Sequence, residues 1–201
     1  MIIMSMGIIL FNWILGTSDA VAAYQTAGRI EHLFFLPIIS VATSLVTLVG
    51  MFYGAKRLDL IRTIVKYGLT RAIAISLSFS VFFLFFSESI LPAFTDSPEI
   101  IRLSVLYFKI MAFAYPFITI GMTSTRIMQG LGVAYPMFIL TLFRVVIISA
   151  SLAWYFVMIL EKPVYYAWVG TLISCIITAG VSLFWLRSIL RRSFKSAVEP
   201  V

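Results

Sequence analysis

The sequence predicts an all-α integral membrane protein of six transmembrane helices, and three observations predict it. Of the 201 residues, 62% are apolar and only 11% are charged, whereas a soluble domain carries about a quarter charged residues. No water-soluble core of this size could hide so much apolar surface. The apolar residues fall into six long runs, as expected where a helix needs roughly 20 of them to cross the hydrocarbon core. Basic residues gather in alternate connections between those runs, the pattern of a chain that crosses a membrane repeatedly.

The first run, 1–16, opens straight into "IIMSMGIILFNWIL" with neither a basic flank nor a cap. At 1.5 Å per residue it reaches about 24 Å, short of a core of roughly 30 Å. The expectation is that Met1 lies inside a helix that begins further upstream. The second run centres on 33–53, with a lead-in from about Val21. The third covers 68–94 and the fourth 101–128; between them "FTDSPEI" offers Asp96 or Ser97 as an N-cap and Pro98 in the first turn. After the fourth, "QGLGVAYP" puts Gly130 and Gly132 where a helix stops and Pro136 near the next start. The fifth run, 137–160, ends at "EKPVYYAW", whose charge and aromatics suit a membrane interface, and the sixth is 165–186. Pro37 and Pro116 lie inside runs and predict kinks.

Charge sets the expected orientation. The second connection holds Lys56, Arg57, Arg62, Lys66 and Arg71 against one acid, Asp59. Arg126 and Arg144 flank the fourth turn, and the end of the chain carries Arg187, Arg191, Arg192 and Lys195. The remaining connections lean acidic, with Asp19, Glu88, Asp96, Glu99, Arg102, Glu161 and Lys162. Both termini are therefore expected in the cytoplasm, in a plasma (inner) membrane, with residues 1–190 as one six-helix lobe and 191–201 as a basic tail. Arg126 and Arg144 read as markers of the cytoplasmic interface. Leu58, Ile61, Ile64 and Val65 recur at helical steps, which suggests an amphipathic helix lying along the inner surface.

The net charge of +7 belongs to these loops, not to a nucleic-acid surface, because the aromatics sit in apolar runs such as "VFFLFF". Cys175 and His32 are each single of their kind, so no disulfide pair or metal-binding cluster is expected.

Polar groups within membrane helices are costly and mark functional sites. In the second run Gln25, Arg29, His32, Ser40, Thr43 and Thr47 share one helical face, with Glu31 beside it. Tyr115, Thr119, Arg126 and Gln129 make a similar stripe on the fourth, and Thr141, Arg144 and Ser151 a weaker one on the fifth. Such stripes could line a polar passage between helices; Ser and Thr can equally bond their own backbone. "QGLGVA" lacks the Lys-Ser/Thr ending of a phosphate loop, and no nucleophile–base arrangement is present, which argues for passage over catalysis.

Three stretches carry a family resemblance. "AVAAYQTAGRIEHLFFLPIISVATSLVTLVGMFYGAKRLD", with Gly54, Ala55, Lys56 and Arg57 at its end, "ILPAFTDSPEIIRLSVLYFKIMAFAYPF", with Phe94, Asp96 and Pro116, and "TRIMQGLGVAYPMFILTLFRVV" occur in order. Together they resemble the C-terminal half of the multidrug and toxic compound extrusion (MATE) transporters over nearly the whole chain. The resemblance implies one six-helix lobe of a twelve-helix, two-lobed antiporter that exports drugs or organic cations in exchange for Na⁺ or H⁺. No cofactor is implied beyond that coupling ion; the implied partners are lipid, a small amphipathic or cationic substrate, and either an N-terminal lobe or a second copy.

In that family acids on the first and fourth helices of this half are one coupling site, whereas here the first run offers only Asn12 before Asp19 and the fourth has Lys109 but no acid at mid-span. Asp19 and Glu31 are the remaining carboxylate candidates. The full candidate set is Asn12, Asp19, Gln25, Arg29, Glu31, His32, Ser40, Thr43, Tyr115 and Thr119. Alternatives are a lipid-linked oligosaccharide flippase of the same superfamily, for which only Arg29 and Lys109 supply cations, and a non-transporting fragment or membrane scaffold.

Overall fold

A computed structural model describes residues 2–16 and 18–198. Six helical elements follow in order: α1 (Ile2–Leu15), α2 (Ser18–Gly54), α3 (Leu58–Ile90), α4 (Pro98–Gly130), α5 (Tyr135–Ile159) and α6 (Tyr165–Val198). A single 3₁₀ turn, Leu91–Ala93, closes α3. Five of the six are long and apolar enough to span a membrane, and α1, at 14 residues, is shorter. The fold is thus the expected all-α membrane bundle.

Two boundaries differ from expectation for a common reason. The polar lead-in "SDAVAAYQTAGRIEH" is helical from Ser18, so α2 runs for 37 residues. The basic stretch after Arg57 is not a separate surface helix either, since α3 is continuous from Leu58. Ile61 and Val65, which the sequence assigned to a membrane surface, are buried against Leu45, Val49, Ile127 and Met128. Packing between helices extends both elements beyond the apolar run that hydropathy detects. Both α2 and α4 continue helically through Pro37 and Pro116.

The most enclosed helix is α4, packed against α2, α3 and α6. Contacts between α2 and α4 pair Ala23 with Ser104, Phe35 with Tyr115 and Val46 with Gly130, so these two helices run parallel. α3 runs antiparallel to them: Phe34 meets Phe83 while Leu45 meets Gly68. Gly130 lets two backbones approach closely, because a Cβ there would stand 2.8 Å from the Val46 carbonyl oxygen. Gly132, at φ 85°, ends α4 with the Val133 amide donating to the Met128 carbonyl and the Gly132 amide to that of Gln129, the Schellman arrangement.

α5 is not a plain α-helix: Phe143–Ala150 and Tyr155–Ile159 are π-helical, on either side of Ser151–Trp154. Wider turns of this kind change which residues share a face. The stripe expected at Thr141, Arg144 and Ser151 is accordingly broken, because Ser151 is exposed while Ser149 faces α6 and shares a 2.8 Å hydrogen bond with Thr171.

Candidate functional site

The polar face of α2 divides into two parts. Gln25, Gly28, Arg29, Glu31 and His32 line an open cleft of about 550 Å³, with Ile8 of α1, Tyr24 and Leu33 of α2, and Tyr107 of α4. Further along, Ser40, Thr43 and Thr47 lie exposed on the outer surface of the lobe. Ser40 Oγ donates to the Leu36 carbonyl at 2.9 Å, so its hydroxyl is satisfied within the helix.

Glu31 is the chemical centre of the cleft. The hydroxyl of Tyr107 donates to its Oε2 at 2.7 Å, linking the two parallel helices. A hydrogen bond to an ionised group is worth about 1.5–3 kcal/mol, and it anchors a carboxylate that would otherwise be costly at this depth. The ring of Tyr107 is held by Trp168 of α6 at 5.5 Å and by Tyr24 at 6.0 Å, both edge to face. Arg144, from the first π-segment of α5, packs against α6. Its Nη1 lies 3.9 Å from the Cys175 sulfur, and its carbonyl accepts a 2.7 Å bond from Ser174. Glu31, Tyr107 and Tyr24 are therefore linked by direct contact across α2 and α4.

Arg144 consequently sits inside the bundle and does not mark its rim. Arg126 stays near the end of α4, donating to Gln129 at 3.3 Å. Asn12 joins the cleft indirectly, accepting from Gln25 Nε2 at 3.3 Å. Asp19 is exposed in the first turn of α2, outside the cleft, where an acid complements the helix dipole. Tyr115 and Thr119 are fully buried in the interior of the lobe, and neither hydroxyl has a hydrogen-bond partner among the described residues. Lys109 forms a 2.7 Å ion pair with Glu88 on the lobe's exterior.

Tyr24, Tyr107 and Trp168 are not among the residues the sequence singles out, and Cys175 stands there only as a lone cysteine. Tyr107 carried a usable signal: it stands eight residues before Tyr115 on the same helix, a helical repeat that links the cleft to the buried stripe. Arg144 reads in the sequence as an interface marker, but its guanidinium reaches buried Cys175 on α6.

Residues 1–155 match the MatE family model. A relative described as probable multidrug resistance protein NorM, from Thermotoga maritima, is 23% identical over 188 residues, covering 92% of this chain and 40% of that protein. Among solved structures, a MOP superfamily transporter from Pyrococcus furiosus superposes with TM-score 0.90 at 24% identity, covering 96% of this chain and 44% of that one. The MATE transporter ClbM, solved in complex with Rb⁺, gives TM-score 0.88 at 26% identity, with coverages of 97% and 46%. The chain thus spans about two fifths of the length of the curated relative it matches.

Proposed function

The chain belongs to the MatE family, and from that premise we propose that it forms one lobe of a membrane antiporter that exports drugs or organic cations in exchange for Na⁺ or H⁺. Membership places it among transporters and not enzymes, and its apolar helices make it an integral membrane protein. The name of the Thermotoga maritima relative supports drugs as the cargo. The solved relatives are more than twice as long, which supports a second lobe as partner, whether an N-terminal half or a second copy. The exposed polar run Ser40, Thr43 and Thr47 on α2 fits a water-filled passage between lobes better than a lipid-facing surface. The basic end of the bundle supports a plasma-membrane orientation with both termini in the cytoplasm.

The observation that carries the reading is Glu31. It is the acid that lines the cleft, held at 2.7 Å by Tyr107 and open beside Gln25, Arg29 and His32. A carboxylate so placed can take a proton or Na⁺ on one side of the membrane and release it on the other, while the aromatic walls accept an amphipathic cation. The flippase alternative loses weight because Lys109 is committed to Glu88, which leaves Arg29 as the cation of the cleft proposed for that role. With the chain expressed from its native locus, Glu31→Gln should abolish cation-dependent efflux of a fluorescent organic cation at unchanged membrane abundance. Unchanged efflux would remove Glu31 from the coupling step.

A further inference from the structure

A second recess lies at the opposite, basic end of the lobe. Phe52 at the end of α2 and Leu60, Thr63, Ile64 and Tyr67 on the first turns of α3 line an apolar notch of about 180 Å³. Its surface is apolar even at Thr63, whose hydroxyl is turned to the Asp59 carbonyl at 3.3 Å. Basic residues flank it in the chain. The Arg71 guanidinium stands over the Tyr67 ring, 5.1 Å from its centroid, and so sits on the rim. Exposed Lys56 lies midway in sequence between Phe52 and Leu60, in the turn that joins the two walls. Asp59, the acid of this segment, is taken up by Arg57 through two hydrogen bonds of 3.1 and 3.2 Å, and so does not neutralise the rim.

Depth indicates the occupant. At 1.5 Å per residue the 33 residues of α3 extend about 50 Å, some 20 Å more than the hydrocarbon core, so the basic first turns reach the headgroup layer. The face of α3 that carries Leu60, Ile64, Tyr67 and Arg71 continues at helical steps into exposed Ala74, Ser78, Val81 and Phe85, a track at acyl-chain depth. An apolar slot with Lys56 in the turn at its outer end and Arg71 where it meets such a track complements a molecule with an anionic head and a hydrocarbon tail.

We propose that the notch between Phe52 and Tyr67 binds an anionic phospholipid, its phosphate between Lys56 and Arg71 and its acyl chain along α3. Phosphatidylglycerol and phosphatidylcholine offered to the purified protein in detergent, with native mass spectrometry as the readout, test this directly. Each cation near a headgroup is worth roughly a fivefold change in affinity. The double variant Lys56→Gln/Arg71→Gln should therefore lose at least that much of its preference for phosphatidylglycerol. Arg187→Gln/Arg191→Gln, which removes equal charge elsewhere on the lobe, should retain it. Equal losses in both variants would mean a diffuse charge effect and overturn the site. Should the first variant fail to fold, a phosphatidylglycerol with a photoreactive headgroup should crosslink the unmodified protein within residues 52–71; crosslinks elsewhere, or equal yield from the phosphatidylcholine analogue, would also overturn it.

Discussion

The Tyr107 hydroxyl donates to Glu31 Oε2 at 2.7 Å, so the most enclosed helix of the lobe holds the carboxylate of the cleft. Trp168, Tyr24 and Phe108 fix the Tyr107 ring independently of that bond. Tyr107→Phe should therefore keep the packing and remove the hydrogen bond alone. If Glu31 is the coupling acid, an arriving cation must compete with this bond, so its loss should move half-maximal efflux to at least roughly tenfold lower coupling-cation concentration, the consequence of about 1.5 kcal/mol at the low end of the range for a hydrogen bond to an ionised group. Efflux titrated against Na⁺ and against H⁺ reads this out; superimposable curves would separate Tyr107 from coupling.

A different test concerns the α2–α4 contact. Gly130→Val would place its Cβ 2.8 Å from the Val46 carbonyl oxygen and 3.0 Å from the Val49 Cβ, and a backbone oxygen cannot rotate away. Overpacking of this kind costs about 1–3 kcal/mol. Gly121, in the same helix, faces open space, so Gly121→Ala should be neutral or stabilise by up to about 1 kcal/mol. Thermal denaturation in detergent, followed by chromatography, should lower Tm for the first variant only. A Tm unchanged by Gly130→Val would mean that the two helices are not in close contact.

These contacts also show what the sequence could and could not disclose. Hydropathy located the membrane-spanning helices, since apolar length is a direct consequence of bilayer thickness. Gly130 and Gly132 marked the end of α4 because a left-handed cap has a recognisable chemistry. Helical spacing puts Gln25, Arg29 and His32 on one face with Glu31 beside it, and all four line the cleft. What failed depended on tertiary packing: the early start of α3, which buries Ile61 and Val65, and the packing of Arg144 against Cys175 of α6. Neither leaves a local periodicity, because both arise from how one helix meets another.

The outer part of the α2 stripe makes a separate prediction. Ser40 and Thr43 are exposed on a polar face, whereas Phe85 is 74% exposed on an apolar one. If the first face borders water and the second lipid, Ser40→Cys and Thr43→Cys should react with a membrane-impermeant thiol reagent, and Phe85→Cys should not. Cys175 is buried and should give little background. Protection of both α2 positions in every transport state would mean that the stripe packs against another helix.

The turn after α2 repeats the cap of α4 with the wrong residue for comfort. The Arg57 amide donates to the Phe52 carbonyl at 2.9 Å and the Lys56 amide to that of Tyr53 at 3.1 Å, with Lys56 at φ 57°. The corresponding residue after α4 is Gly132. A side chain in the left-handed region costs roughly 1–2 kcal/mol, so Lys56→Gly should raise Tm in lipid-free detergent and Gly132→Ala should lower it. The gain should come from the backbone alone, and Lys56→Gln, which removes the charge but keeps a Cβ, should show none of it. A Tm that rises equally for glycine and glutamine would assign the effect to charge repulsion among Lys56, Lys66 and Arg71, and would dismiss backbone strain as its source.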